Sequence, residues 1–206
     1  MQYNYYVQVC EKRSVILELL KQKIINDGDI IHPDIVKVDM FLNHQLDIDL
    51  LDEMGKEFYR LFKYSGITKI LTIESSGIAI ACFAAKYFSV PVVFAKKGNN
   101  RNIGSDTYST EIFSFTKAST YTAIVSKKYL SDNDRVLIID DFLANGKALT
   151  GLLEIVKQSG AEVCGVGIAI EKAFQPGGKN LRDSGIRIES LAKIESVSDG
   201  KINFAD

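Results

Sequence analysis

Val136-Leu137-Ile138-Ile139-Asp140-Asp141-Phe142-Leu143-Ala144-Asn145-Gly146-Lys147-Ala148 is the stretch from which the fold can be read. Four consecutive apolar residues build a buried strand. Two carboxylates follow at its carboxyl end, and a compact loop with Asn145-Gly146 at its turn opens into a helix from about Ala148 to Gln158. Backbone amides at a helix start, with the positive end of the helix dipole behind them, suit a phosphate. Gly146 lets the backbone approach that ligand with no side chain in the way. Asp140 and Asp141 are too negative to serve the phosphate itself; they suit hydroxyl groups or a hydrated magnesium ion on the same molecule. An Asp-Asp pair alone would be read as solvated acids. Set in register before an anion loop, it points to a sugar phosphate. The segment is not a P-loop, since the earlier glycine is absent and Lys147 is followed by Ala148, and no G-x-G-x-x-G follows any strand.

Working outward, the chain alternates strand and helix. Periodicity predicts helices over Val15–Ile25, about Asp49–Tyr64 and Ile78–Phe88. It predicts strands at Ile35–Asp39, Thr68–Ile73, Pro91–Ala95, Arg135–Ile139 and Glu162–Ile170. Asp47 or Asp49 can cap the second helix and Gly66 close it. The aperiodic run Gly98–Thr110 reads as a loop, and Glu111–Thr116 with Tyr121–Ser126 as paired strands turning at Lys117–Thr120. Ile186–Leu191 and Lys201–Phe204 read as short strands. The pattern is that of an α/β domain with a mostly parallel sheet flanked by helices, and ligands of such sheets gather at the carboxyl ends of the strands.

Composition narrows the function. The 206 residues suit one domain with a sizeable core. A net charge of -1 argues against a general nucleic-acid binder. Charged residues interrupt every apolar run before membrane-spanning length. Three cysteines, Cys10, Cys82 and Cys164, are an odd number without zinc spacing, which favours reduced thiols and a cytoplasmic location. His32 and His44 show no metal spacing and read as structural.

Other segments at strand ends carry possible ligand groups. Glu74-Ser75-Ser76-Gly77 lies between a strand and a helix, where its hydroxyls and amides suit either a second anion or a plain helix cap. Phe142 is placed to pack on a ring face. Lys96 and Lys97, Asn43 and Lys172, taken one by one, are ordinary surface or turn residues.

Together these segments resemble the type I phosphoribosyltransferases. The Asp140 to Ala148 segment is similar to that family's phosphoribosyl-diphosphate (PRPP) signature. Most members have Thr-Gly or Ser-Gly where this chain has Asn145-Gly146; the branch making xanthosine monophosphate carries Asp-Asp-Phe-Leu-Ala-Asn-Gly. The resemblance extends from about Leu17 to the C-terminus through Phe41-Leu42-Asn43-His44-Gln45, Ile73-Glu74-Ser75-Ser76-Gly77 and Ile170-Glu171-Lys172-Ala173-Phe174-Gln175-Pro176-Gly177.

The resemblance implies the type I fold, with a core over about 47–172 and a small hood from about 26–46 and 173–206. It implies that Ala144, Asn145, Gly146, Lys147 and Ala148 hold the 5-phosphate. Asp140 and Asp141 would be the catalytic pair, facing the ribose hydroxyls and meeting magnesium through those hydroxyls or water, with one or the other steadying the positive charge or accepting a proton. Glu74, Ser75, Ser76 and Gly77 would form the pyrophosphate loop, with Lys97 as a further contact. Val36, Asn43, Phe142 and Lys172 would meet the base. An ammonium group donates hydrogen bonds and cannot accept them, so Lys172 favours an oxopurine over adenine. The implied substrates are PRPP and xanthine, with hypoxanthine or guanine as the alternative base, magnesium as cofactor and a homodimer as the assembly. A regulator that binds PRPP without catalysis is the alternative from another class. Residues 1–16 lie outside the resemblance and are expected to be an extension or an upstream misplaced start.

Overall fold

The computed structural model describes residues 16–32, 35–98, 106–114, 118–198 and 200–205. Residues 1–15 of the expected extension, 99–105 of the expected loop, 115–116 at the end of the expected strand Glu111–Thr116 and 117 at the start of the expected turn lie outside the described residues. Helix α1 covers 16–27. A hairpin of β1 (Asp29–His32) and β2 (Ile35–Lys37) follows, then a π-helical turn (Asp39–Asn43) and α2 (Ile48–Phe62). Next come β3 (Lys69–Ile73), α3 (Gly77–Phe88), β4 (Val92–Gly98), β5 (Thr107–Ser114) and β6 (Ser119–Ser126). The chain continues through β7 (Arg135–Leu143), α4 (Lys147–Ser159), β8 (Glu162–Lys172), α5 (Pro176–Asp183), β9 (Ile188–Ser198) and β10 (Lys201–Phe204).

An eight-stranded sheet runs β10-β9-β8-β7-β3-β4-β6-β5. Its interior pairs, β8 with β9, β7 with β8, β3 with β7 and β3 with β4, are parallel. Antiparallel partners close both sides. The chain is thus α/β with a mostly parallel sheet, as the alternation predicts. Strand β7 shows why its apolar run is unbroken. Leu137 and Ile139 enter the core with α1, α2 and α3, whereas Val136 and Ile138 enter the one with α4. The signature loop therefore hangs from a strand buried on both faces. On β5, the Ser109 amide donates to Gln158 Oε1 at 3.2 Å while Gln158 Nε2 donates to the Ser109 carbonyl at 3.0 Å. Among the described residues no helix is long and apolar enough to cross a membrane.

Helix α2 is capped by Asp47, whose carboxylate accepts from the Leu50 amide at 3.1 Å and pairs with Lys23 of α1 at 3.0 Å. The Leu50 and Lys23 hydrogen bonds hold that carboxyl below its ordinary value, against the opposing effect of burial. Asp47→Ala should cost about 1 kcal/mol, lowering the thermal midpoint by about 2–4 °C for a chain of this length. An unchanged midpoint would show that the cap contributes nothing.

Several elements depart from the sequence reading. The strand expected at Ile35–Asp39 stops at Lys37. Phe41 and Leu42 are adjacent and both buried, which alternation cannot provide; the π turn does so, with the His44 and Gln45 amides donating to the Asp39 carbonyl. The expected Gly98–Thr110 loop gives way to β4 at Gly98 and to β5 from Thr107, because Thr107 to Thr110 find partners along β6. The strand expected to end at Ile139 runs to Leu143, so both aspartates are strand residues. Finally, β9 extends through Ser198, and α5 has no counterpart in the periodicity reading.

Candidate active site

The signature loop is ordered by its own atoms. Asn145 Oδ1 accepts from the Lys147 amide at 3.1 Å. Gly146 occupies the N-cap of α4 with φ +81°, a left-handed backbone that favours glycine. It offers no side chain to cap the amides that follow, which leaves the helix start suited to an anion. Helix α5 packs beneath this loop: the Gly177 amide donates to the Ala144 carbonyl at 3.2 Å. A Cβ on Gly177 would lie 2.4 Å from that oxygen and 2.5 Å from the Gly146 nitrogen.

The two aspartates are unequal. Asp140 is 5 % exposed, Asp141 half-buried. Each carboxylate accepts the next residue's amide, Asp141 N to Asp140 at 3.0 Å and Phe142 N to Asp141 at 2.9 Å. Burial, then the charge of Asp141, pushes the Asp140 carboxyl well above the ordinary carboxylate range, against a smaller opposing pull from Lys97. Asp140 borders α3, since a Cβ on Gly77 would strike Thr72 Oγ1 at 2.2 Å and Asp140 Oδ1 at 2.9 Å. Among the described residues no group of three or more His, Cys, Asp or Glu side chains could hold a metal ion. Of the two carboxylates, the half-buried Asp141 is the one whose exposure would fit a magnesium ion that keeps its own waters.

A cleft of about 470 Å³ opens over the loop, lined by Phe142 to Leu149 on one wall and by Lys97 and the β5–β6 hairpin on the other. The neighbouring lysines diverge here. Lys96 pairs with Ile124 and Lys97 with Ala123, so their side chains leave opposite faces. Lys97 lines the cleft with Tyr121; Lys96 Nζ lies 6.0 Å from the Phe94 ring. Glu74 accepts the Lys97 amide at 2.5 Å, so it clamps β4 beside the loop. Ser76 sits at the N-cap of α3 with no side-chain cap bond, and Ser75 is exposed; neither hydroxyl is used as a helix cap.

Lys172 and Phe142 come together, the ammonium 5.6 Å from the ring centroid. Val36 is 5 % exposed and belongs to the core cluster on which Phe142 packs, together with Phe41 and Leu42. Asn43 closes the π turn, and its Oδ1 is buried with no hydrogen-bond partner among the described residues. A buried unpaired acceptor is costly and asks for a donor. Sequence reading assigned no individual role to Gly177, Tyr121 or Arg182. The strand period gives Tyr121 no distinction, and Arg182 is legible only once α5 is placed against β8.

A strand-borne acidic pair, an anion loop at a helix start and an adjoining cleft define a protein that handles a phosphorylated sugar. Residues 37–187 match the phosphoribosyl transferase domain, and the chain belongs to that family. It is 60% identical over 190 residues to the xanthine phosphoribosyltransferase of Ruminiclostridium cellulolyticum, covering 92% of this chain and 100% of that one. It is 57% identical over 188 residues to the xanthine phosphoribosyltransferase of Clostridium novyi, covering 91% and 99%. Among solved structures, adenine phosphoribosyltransferase from Rhodothermus marinus aligns with a TM-score of 0.71 at 25% identity, over 88% of this chain and 99% of that one. The adenine phosphoribosyltransferase from Thermoanaerobacter pseudethanolicus gives 0.71 at 22% identity over 86% and 99%, a likeness of fold.

Proposed function

We propose that this chain transfers the 5-phosphoribosyl group of PRPP to xanthine, giving xanthosine 5′-monophosphate and pyrophosphate. The observation that carries the reading is the Lys172 ammonium over Phe142, one strand from the signature loop. It sets a donor for an oxo group beside a ring surface for a purine. The names of the relatives at 60% and 57% identity support the same base.

In this reading the loop from Ala144 to Ala148 holds the 5-phosphate, and Asp141, with Asp140 behind it, faces the ribose hydroxyls. Ser75, Ser76 and the amides up to Gly77 meet the diphosphate with Lys97, while Glu74 fixes the strand that bears Lys97. Val36, Phe142, Asn43 and Lys172 enclose the base, with the Asn43 oxygen accepting a base N–H. The C1–oxygen bond to diphosphate breaks as positive charge builds on the ribose, and a ring nitrogen of the base forms the new bond from the opposite face. That nitrogen's proton leaves to water or to an aspartate. Catalysis is positioning and electrostatics, with no covalent nucleophile. Magnesium, bound with PRPP, supplies charge neutralisation for the departing diphosphate. A cytoplasmic homodimer is part of the same reading.

The test is pyrophosphate release with PRPP, magnesium and each of xanthine, guanine, hypoxanthine and adenine at equal concentration. Turnover should be strongest with xanthine and absent with adenine. Lys172→Ala should raise KM for the base at least about tenfold, the loss of a charged hydrogen bond, and leave KM for PRPP nearly unchanged. Preference for another oxopurine would keep the chemistry and reassign the pocket. Tight PRPP binding with no turnover on any base would leave a binding protein.

A further inference from the structure

We infer that Tyr121 is a positioning residue for Lys97, its ring holding the ammonium in the cleft beside the signature loop. The inference rests on the proposed contact between Lys97 and the diphosphate. The ladder between β4 and β6 sets Lys97 opposite Ala123, so Tyr121, two residues earlier on β6, shares that face as the diagonal neighbour of Lys97. The Lys97 ammonium lies 5.3 Å from the Tyr121 ring centroid, within cation–π range. Both residues line the cleft with Asn145, Gly146 and Lys147.

Lys97 is thereby restrained at both ends. Its amide is tied to Glu74, and its ammonium rests on the Tyr121 ring. A lysine side chain otherwise loses much rotamer freedom when it engages an anion. The ring removes part of that freedom before the ligand arrives, which is preorganisation in the ordinary sense. A ring suits this task better than a carboxylate would, because a carboxylate would engage the ammonium as an ion pair and repel the diphosphate. Burial, and then the charge of Asp140, pushes the Tyr121 phenol above its ordinary value, so it stays neutral beside the anion.

Steady-state kinetics with PRPP and xanthine varied separately test the inference. Tyr121→Phe keeps the ring and should hold KM for PRPP within about twofold. Tyr121→Leu removes it and should raise KM for PRPP about threefold to tenfold, with KM for xanthine unchanged; Tyr121→Met takes its place if the leucine chain does not fold. In a Lys97→Met background the loss of the ring should add nothing, because it acts through Lys97. The same rise in that background, an unaltered KM in both ring-less variants, or an equal loss in Tyr121→Phe would overturn it. Failure of the parent reading looks different: the unmodified chain would not turn over PRPP, or Lys97→Met alone would leave KM for PRPP unchanged.

Discussion

Gly177→Ala is expected to lose about 100-fold or more in kcat/KM for PRPP while the chain keeps its secondary structure. The added methyl would lie 2.4 Å from the Ala144 oxygen, 2.5 Å from the Asn145 carbonyl carbon and 2.5 Å from the Gly146 nitrogen. All three are backbone atoms, so no side chain can swing aside. The start of α5 and the signature loop must separate by about 1 Å to reach ordinary contact, and a displacement of that size in a positioning loop carries penalties of this order. The Gly177 amide would also leave the Ala144 carbonyl. Initial rates over a PRPP series, with far-ultraviolet circular dichroism as the folding control, check it. A variant within a few-fold of the parent would show that the loop does not depend on α5.

Arg182→Met should have the largest effect on stability. Glu171 is 2 % exposed, and Arg182 grips both its oxygens at 2.7 and 2.6 Å while the Ser190 hydroxyl donates to one of them. Burial alone would raise the Glu171 carboxyl; the Arg182 and Ser190 hydrogen bonds outweigh it and hold the group below its ordinary 4.5. A depressed acid contributes stability that is complete above its unfolded value and is lost as pH falls through the lower folded value. Without the guanidinium the buried charge stands unpaired, a loss of about 3 kcal/mol, at the low end for such pairs because the Arg182 side chain is 31% exposed. Burial then dominates, and the sign of the pH dependence reverses: the variant's deficit should shrink as Glu171 takes up a proton. Urea midpoints at about pH 7 and about pH 5 measure this. A deficit of equal size at both would mean that the ion pair is not its source.

The legible parts of the molecule were those whose chemistry is local. A strand, two acids, Asn-Gly and a helix start are adjacent in sequence, so the anion loop could be read without knowing the fold. Helix α5 could not. Pro176-Gly177-Gly178 discourages helix by propensity, and this segment is shaped by its contact with a loop some thirty residues earlier, which no period records. The polar run Thr107 to Thr110 likewise became strand because β6 supplied partners. At the site, the resemblance implies Lys97 and not Lys96 as a ligand contact, but two adjacent lysines do not themselves say why; the antiparallel register does, setting them on opposite faces with Lys97 toward the cleft. The inequality of Asp140 and Asp141 arises from burial, which two identical letters cannot express.

The outer strand β5 is the last in its sheet, and a last strand has backbone groups with no ladder partner on that side. At Ser109 the primary amide of Gln158 engages both the N–H and the C=O, as a neighbouring strand would. One side chain from α4 thus occupies the place where another molecule's strand could begin to pair. The wall of the cleft that carries Tyr121 is thereby shielded, at that position, from being drawn into intermolecular sheet and aggregation.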